Sequence, residues 1–194
     1  MELGLMEKKL KEMLTPHRFE HSLGVQDMAV RLAERYGGDR QKAALAGLVH
    51  DCAKDLTMEQ MEERLQRYAL KLDEVSLREP ALIHGPLGAC VAQDLFQIDD
   101  QEILGAICYH TTGRENMTLL EKIIYLADFI EPCRDYPGVE RLRQIAWESL
   151  DRALLLSFDN TIAYVISLKS LLHPNTILAR NYLLMYGQIR KEDL

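Results

Sequence analysis

No CxxC pair occurs in this sequence; Cys52, Cys90, Cys108 and Cys133 stand far apart. Scattered cysteines of this kind read as small buried hydrophobes of a reducing compartment, which argues against a thiolate metal site. No apolar run approaches the roughly 20 residues that a membrane-spanning helix needs. The opening MELGLMEKKLKEML has neither an apolar signal core nor a small-residue cleavage site. A cytoplasmic location with no membrane partner is therefore expected. A basic surplus is missing too. The formal net charge of −7 argues against nucleic acid as a partner, yet it allows a small anionic ligand if a metal ion supplies local positive charge. Convincing strands, internal repeats and low-complexity linkers are also absent, the β-branched residues being scattered within longer helical periods.

What is present is helical. After Pro16, the positions His21, Val25, Met28 and Leu32 follow 4-3-4 spacing on one face, with Thr15 as N-cap and Gly37-Gly38 as stop. Asp39 opens a second helix through His50, in which Gly47 permits close backbone approach. Thr57 with Gln60, and Thr118 with Glu121, form capping boxes. The stretch from Lys71 to Pro80 has no clear period and is predicted to be loop. His84 begins another helix, Asp99 or Asp100 caps the next, and that one stops near Gly113. From Val139 to Leu172 the pattern is strongly helical; His173-Pro174 breaks it, and a last helix reaches about Tyr186. A chain of 194 residues holds one good core and is short for two. The sequence thus predicts one all-α domain over 1–194, a helical bundle with a metal-site core over about 15–135 and additional C-terminal helices over about 139–190.

The chemistry concentrates in His21, the adjacent His50-Asp51, His84, His110 and Asp128. Imidazole and carboxylate are the ligand types of divalent first-row metals, and helical bundles build such sites from facing helices. His50 and Asp51 point about 100° apart around a helix, yet both reach one ion lying beside it. His21, His50, Asp51 and Asp128 form the expected metal shell. His84 and His110 suit a second ion bridged by Asp51, or contact with phosphate. Lys54 shares the side of His50 and Asp51 if the helix continues. Lys54, Arg18 and Arg134 are candidate phosphate contacts, and Thr111 a candidate hydroxyl donor. Lys54 and Arg18 read equally well as solvated charges, and His84 and His110, each taken alone, as helix-end structural residues. His17 reads as an exposed helix-start residue.

His21, His50-Asp51 and Asp128 match the H…HD…D signature, and the chain resembles the HD-domain phosphohydrolase superfamily. The segments HRFEHSLGV, GLVHDCAKDL, HGPLGA, YHTTG, YLADFIEPCRDYPGVE, HPNT and ARNYL resemble the bacterial symmetrical diadenosine-tetraphosphate hydrolases of HD type. That resemblance implies iron at the HD site, one ion or two, and cleavage of a dinucleoside polyphosphate to two ADP. It makes Asp51, His84, His110 and Lys54 the catalytic candidates. It also suggests that His173, Asn175, Arg180 and Asn181 help hold a nucleoside, alongside Arg18, His84, His110, Thr111, Asp128 and Arg134. The donor set itself accepts manganese or another divalent ion. Exposed apolar positions in the final helices leave a homodimer open. Two alternatives remain: an HD-type hydrolase of another nucleotide (nucleotidase, cyclic-nucleotide phosphodiesterase or alarmone hydrolase), or a non-catalytic nucleotide-binding regulatory module.

Overall fold

Side-chain caps decide where most of the helices begin. Thr15 accepts from the backbone of Arg18 and opens α2 (Pro16–Tyr36), which follows α1 (Leu3–Met13). Asp39 accepts from Gln41 and Lys42 to open α3 (Arg40–Val49). Capping boxes at Thr57 and Thr118 open α4 (Met58–Arg67) and α8 (Leu119–Ile130). Asp100 opens α7 (Gln101–Tyr109), and α6 (His84–Phe96) precedes it. The computed structural model describes residues 2–189; residues 1 and 190–194, the ends of the expected domain and of its C-terminal part, lie outside that range. Among the described residues there is no strand, as the all-α expectation requires.

Three expectations need correction. The stretch read as loop between Lys71 and Pro80 contains α5 (Glu74–Arg78) and then a 3-10 turn over Pro80–Leu82. Asp73 makes the short helix by accepting from the backbones of Val75 and Ser76, a cap too local to produce a period. The helical stretch after Val139 is two helices, α9 (Val139–Glu148) and α10 (Leu150–Ser167), divided at Ser149, whose extended backbone and hydroxyl cap the second. Helix also stops at Val49, so Lys54 lies in the turn that follows. The final helix, α11 (Pro174–Tyr186), starts where His173-Pro174 placed it.

Helix α8 runs through the middle. Leu120, Ile123, Ile124, Tyr125, Leu126, Ala127 and Ile130 are all buried, as expected of a helix that is apolar on nearly every side. It packs against α2, α3, α7, α9 and α10. Each fully buried Leu or Ile contributes about 1.5–3 kcal/mol relative to exposure, so this central strut is firmly seated. Helices α2 and α3 share the most extensive contact, and Gly47 lets them approach. A Cβ there would stand 2.9 Å from Gln26 Cα and 3.1 Å from Val25 O. That approach brings the end of α3, with His50, against the face of α2 that carries His21.

Candidate metal centre and active site

Five helices deliver six side chains to one buried place. His21 comes from α2, His50 and Asp51 from the end of α3, His84 from the first turn of α6, His110 from the end of α7 and Asp128 from α8. His21, His50, Asp51, His84 and His110 are each 3% exposed or less. Asp51 stands at the centre and divides its contacts. Its Oδ2 lies 3.8 Å from His21 Nε2 and 3.6 Å from His50 Nε2. Its Oδ1 lies 3.2 Å from His84 Nε2 and 3.3 Å from His110 Nε2. Asp128 Oδ1 is 3.0 Å from His21 Nε2 and 3.9 Å from His50 Nε2.

The outer ring nitrogens explain why the inner ones converge. His50 Nδ1 donates to Gly47 O at 2.8 Å, and His110 Nδ1 to Ile107 O at 2.7 Å. Each bond spends the ring's Nδ1 proton and leaves an Nε2 lone pair facing inward. His21 is oriented differently: its Nδ1 sits 3.0 Å from Glu131 Oε1, a carboxylate only 1% exposed. Glu131 also accepts from the backbone of Cys133 at 2.6 Å. Gly24, one turn after His21, makes room for it, since a Cβ there would be 2.6 Å from Glu131 Oε2.

Charge in the cluster follows burial first. Desolvation pushes the His50 and His84 imidazoles down to about 4, against the pull of Asp51. Desolvation would lower His21 as well, but Asp128 and then Glu131 outweigh it and raise that imidazole above its ordinary value. A carboxylate on each ring nitrogen makes positive charge welcome there. Burial would raise Asp51 and Asp128, yet the surrounding imidazoles, together with Arg134 beside Asp128, hold both below the usual carboxylate range.

The donor set fits a divalent metal ion. His50 Nε2 is buried and hydrogen-bonds to nothing, although Asp51 Oδ2 and Asp128 Oδ1 face it at 3.6 and 3.9 Å. A neutral imidazole lone pair opposed to a carboxylate is repulsive, and burying an unsatisfied polar atom costs about 1–3 kcal/mol. A cation between them removes both penalties. Three overlapping groups have ligand atoms within 4.8 Å of one another: His21, His50 and Asp51; His50, His110 and Asp128; and Asp51, His84 and His110.

The HD domain pattern matches residues 18–132, the stretch that contributes all six of these side chains. The chain belongs to the HD domain family. HD-domain hydrolases are metal-dependent, and the chain has the His and Asp groups to hold an ion. Over 174 residues, 90% of this chain and 93% of the relative, it is 41% identical to a symmetrical bis(5'-nucleosyl)-tetraphosphatase of Bacillus subtilis (strain 168). It is 36% identical over 195 residues, the whole of both chains, to the protein of that name in Staphylococcus aureus (strain NCTC 8325 / PS 47). A crystal structure of a predicted HD superfamily hydrolase from Clostridium acetobutylicum, described as involved in NAD metabolism, superposes with a TM-score of 0.92. It is 49% identical and covers 95% of this chain and 98% of its own.

Around the HD centre, the sequence-predicted cations take distinct places. Arg18 donates to Asp51 Oδ2 at 2.9 Å. Arg134 donates to both the carboxylate and the main-chain oxygen of Asp128. Lys54, despite lying beyond the helix, brings Nζ within 3.3 Å of each His84 ring nitrogen, and burial lowers its ammonium below the ordinary lysine value. Thr111 Oγ is buried without a partner. His17 is exposed.

The C-terminal candidates make contacts of their own, and Thr176 beside them donates to Thr112 O, two residues after His110, at 3.0 Å. His173 caps α11 and meets Asp73 at 3.1 Å. Arg180 pairs with Asp159, Asn175 lines a separate cavity with Tyr109 and Tyr182, and Asn181 is exposed. Among the described residues no hydrogen bond or ion pair joins these four to the cluster. Glu131 is the residue that sequence reasoning missed. Its signal was available: a carboxylate three positions after Asp128, at the end of an otherwise apolar helix.

Proposed function

We propose that the protein hydrolyses dinucleoside tetraphosphates symmetrically, releasing two nucleoside diphosphates, in the cytoplasm and with iron as the metal. The observation that carries this reading is the cluster of inward-facing imidazole nitrogens around Asp51, with His50 Nε2 unsatisfied, in a chain similar end to end to symmetrical tetraphosphatases. His21, His50, Asp51 and Asp128 would hold the ion, and the two-sided contacts of Asp51 support a second one with His84 and His110. Such an ion supplies acidified water and a Lewis acid for the phosphorus under attack. Iron rests on the family resemblance, because this donor set also accepts manganese, cobalt or nickel.

The protein's own groups account for the rest. Asp51, Asp128 and Glu131 are faced by Arg18, Lys54 and Arg134, so the side chains alone offer a polyphosphate little positive excess. Arg18, Lys54 and Arg134 stand at the margin, each half-buried, where they meet phosphate oxygens and hold the bridge against the cluster. Lys54 keeps positive charge beside His84, which favours anionic oxygen there and discourages a second proton on the ring. His84 and His110 would hold the second ion or touch the phosphates. Glu131 and the carbonyls of Gly47 and Ile107 keep three imidazoles aimed. The same reading takes the chain as one domain, supported by a buried core that runs continuously from α1 to α11.

Product analysis tests it. Protein loaded with ferrous iron or manganese, given diadenosine tetraphosphate, should yield ADP alone on anion-exchange chromatography. AMP with ATP would move the attacked bond, and no turnover under any metal would sink the reading.

A further inference from the structure

Between α8 and α9 the chain makes a turn, residues 131–138, that bends back beside the metal cluster. Two side chains of that turn act on the cluster. Glu131 holds the outer nitrogen of His21 at 3.0 Å, and Arg134 donates to both the carboxylate and the main-chain oxygen of Asp128. The backbone of the turn gives their placing little support. Pro132 has no N–H to donate. The Arg134 N–H reaches back to Glu131 O at 3.0 Å, which leaves Ile130 O, the last carbonyl of α8, to another donor.

Arg143, on α9, is that donor. Its Nε donates to Ile130 O at 3.0 Å, and its Nη2 to Glu131 O at 2.7 Å, Arg134 O at 2.8 Å and Pro132 O at 3.4 Å. One edge of a guanidinium thus gathers the main chain of the whole turn, a use of fixed, forked donors that a lysine ammonium cannot copy. The cation also sits at the C-terminus of α8, where the helix dipole favours it. Its base is rigid, because Val139, Leu142 and Ala146 are buried where α9 packs on α8 and α10. Its carboxylate partner, Glu140, is 77% exposed, so solvent screens that pair and the main-chain contacts dominate. Tyr136 adds a second tie between the turn and α8, donating to Phe129 O at 3.0 Å. We propose that Arg143 is a positioning residue for the metal centre. By fixing the main chain of residues 130–134 it keeps Glu131 on His21 and Arg134 at the margin where phosphate is held. The proposal rests on the tetraphosphatase reading for its substrate and on the geometry of the turn for the rest.

Arg143→Ala in the full chain tests it with two readouts that need no turnover. Competition with a chelating dye should show manganese affinity lowered by about tenfold, the low end for partners that orient a metal ligand from outside. Calorimetry should show weaker binding of pyrophosphate to the manganese-loaded variant. Ethylguanidinium in solution should restore both in Arg143→Ala and leave the wild type unchanged, since it replaces only the missing fork. Arg143→Lys keeps the charge but should recover little, and it carries the same readouts if the alanine variant does not fold. Both affinities intact in Arg143→Ala, even with a lower melting temperature, reduce the arginine to a helix cap and overturn the proposal. Full recovery by lysine overturns it as well, and so does a loss that ethylguanidinium does not relieve. The two readings fail separately. Weakened metal and pyrophosphate binding in Arg143→Ala, with the tetraphosphate left intact by the wild type, rejects the reaction and keeps the positioning role. Symmetrical cleavage with kcat and KM unaltered in Arg143→Ala keeps the reaction and rejects the role.

Discussion

Two of the regions where polar side chains meet, the centre of the bundle and the seam where α11 docks, are satisfied in opposite ways. At the seam every meeting closes on itself. His173 has Asp73, Arg180 has Asp159, and Tyr182 donates to Asn116 at 3.0 Å. Solvent reaches all three pairs, so each contributes little, on the order of 0–1 kcal/mol. At the centre, carboxylates and imidazoles are buried together while His50 Nε2 bonds to nothing. Evenly paired surface groups hold helices in place; buried groups left unpaired and aimed at one point mark where a ligand belongs.

The sharpest way to break this contrast is Asp51→Asn. The substitution keeps shape but removes the charge that faces all four imidazoles, so turnover should vanish and bound metal should fall in elemental analysis. Circular dichroism should stay helical. Metal content and rate at wild-type levels in that variant would erase the distinction between the two regions. Glu131→Gln comes next. It leaves the ligands untouched but weakens the hold on His21, and such outer partners are typically worth about 10–100-fold in metal affinity. Competition with a chelating dye reads that loss directly.

Gly47→Ala sharpens the comparison from the packing side. A methyl group there strikes the α2 backbone, and overpacking of this kind costs about 1–3 kcal/mol. Urea unfolding should report it, with a fall in activity because His50 shifts relative to His21. The smallest effect belongs to the seam. Hydrogen bonds from Ser76 and then His173 outweigh desolvation and hold the Asp73 carboxyl below its ordinary value. A depressed carboxylate stabilises the fold above its unfolded pKa of about 3.9 and loses that contribution as pH falls through the folded value. Asp73→Asn should therefore lower Tm slightly at pH 7, less and less toward acid, with activity unaltered. A large loss of activity instead would place the seam in the catalytic machinery.

The sequence carried most of the centre and little of the seam. Caps at Thr15, Asp39, Thr57, Asp100 and Thr118 are local chemistry, readable one turn at a time, and the helices they open were placed accordingly. His21, His50-Asp51 and Asp128 were legible because buried helices seldom carry such groups without a purpose. Glu131 escaped because it touches the outer nitrogen of His21 and not the centre of the cluster, and spacing alone does not distinguish the two. The break at Ser149 escaped because a serine between helical stretches fits inside a helix as well as at its cap. The C-terminal residues were assigned by resemblance alone, without a spatial constraint, and His173 and Arg180 pair with Asp73 and Asp159.

Because α2, α3, α6, α7 and α8 each lend a side chain to one point, an ion bound there acts as a weld between five separate rods. Binding confined to the folded state adds stability by mass action, about 2.7 kcal/mol at a hundred times Kd. Melting temperature thus becomes a balance on which metals can be weighed against each other. Ferrous iron, manganese, cobalt and nickel can be ranked by the heat the protein withstands, before any substrate is chosen.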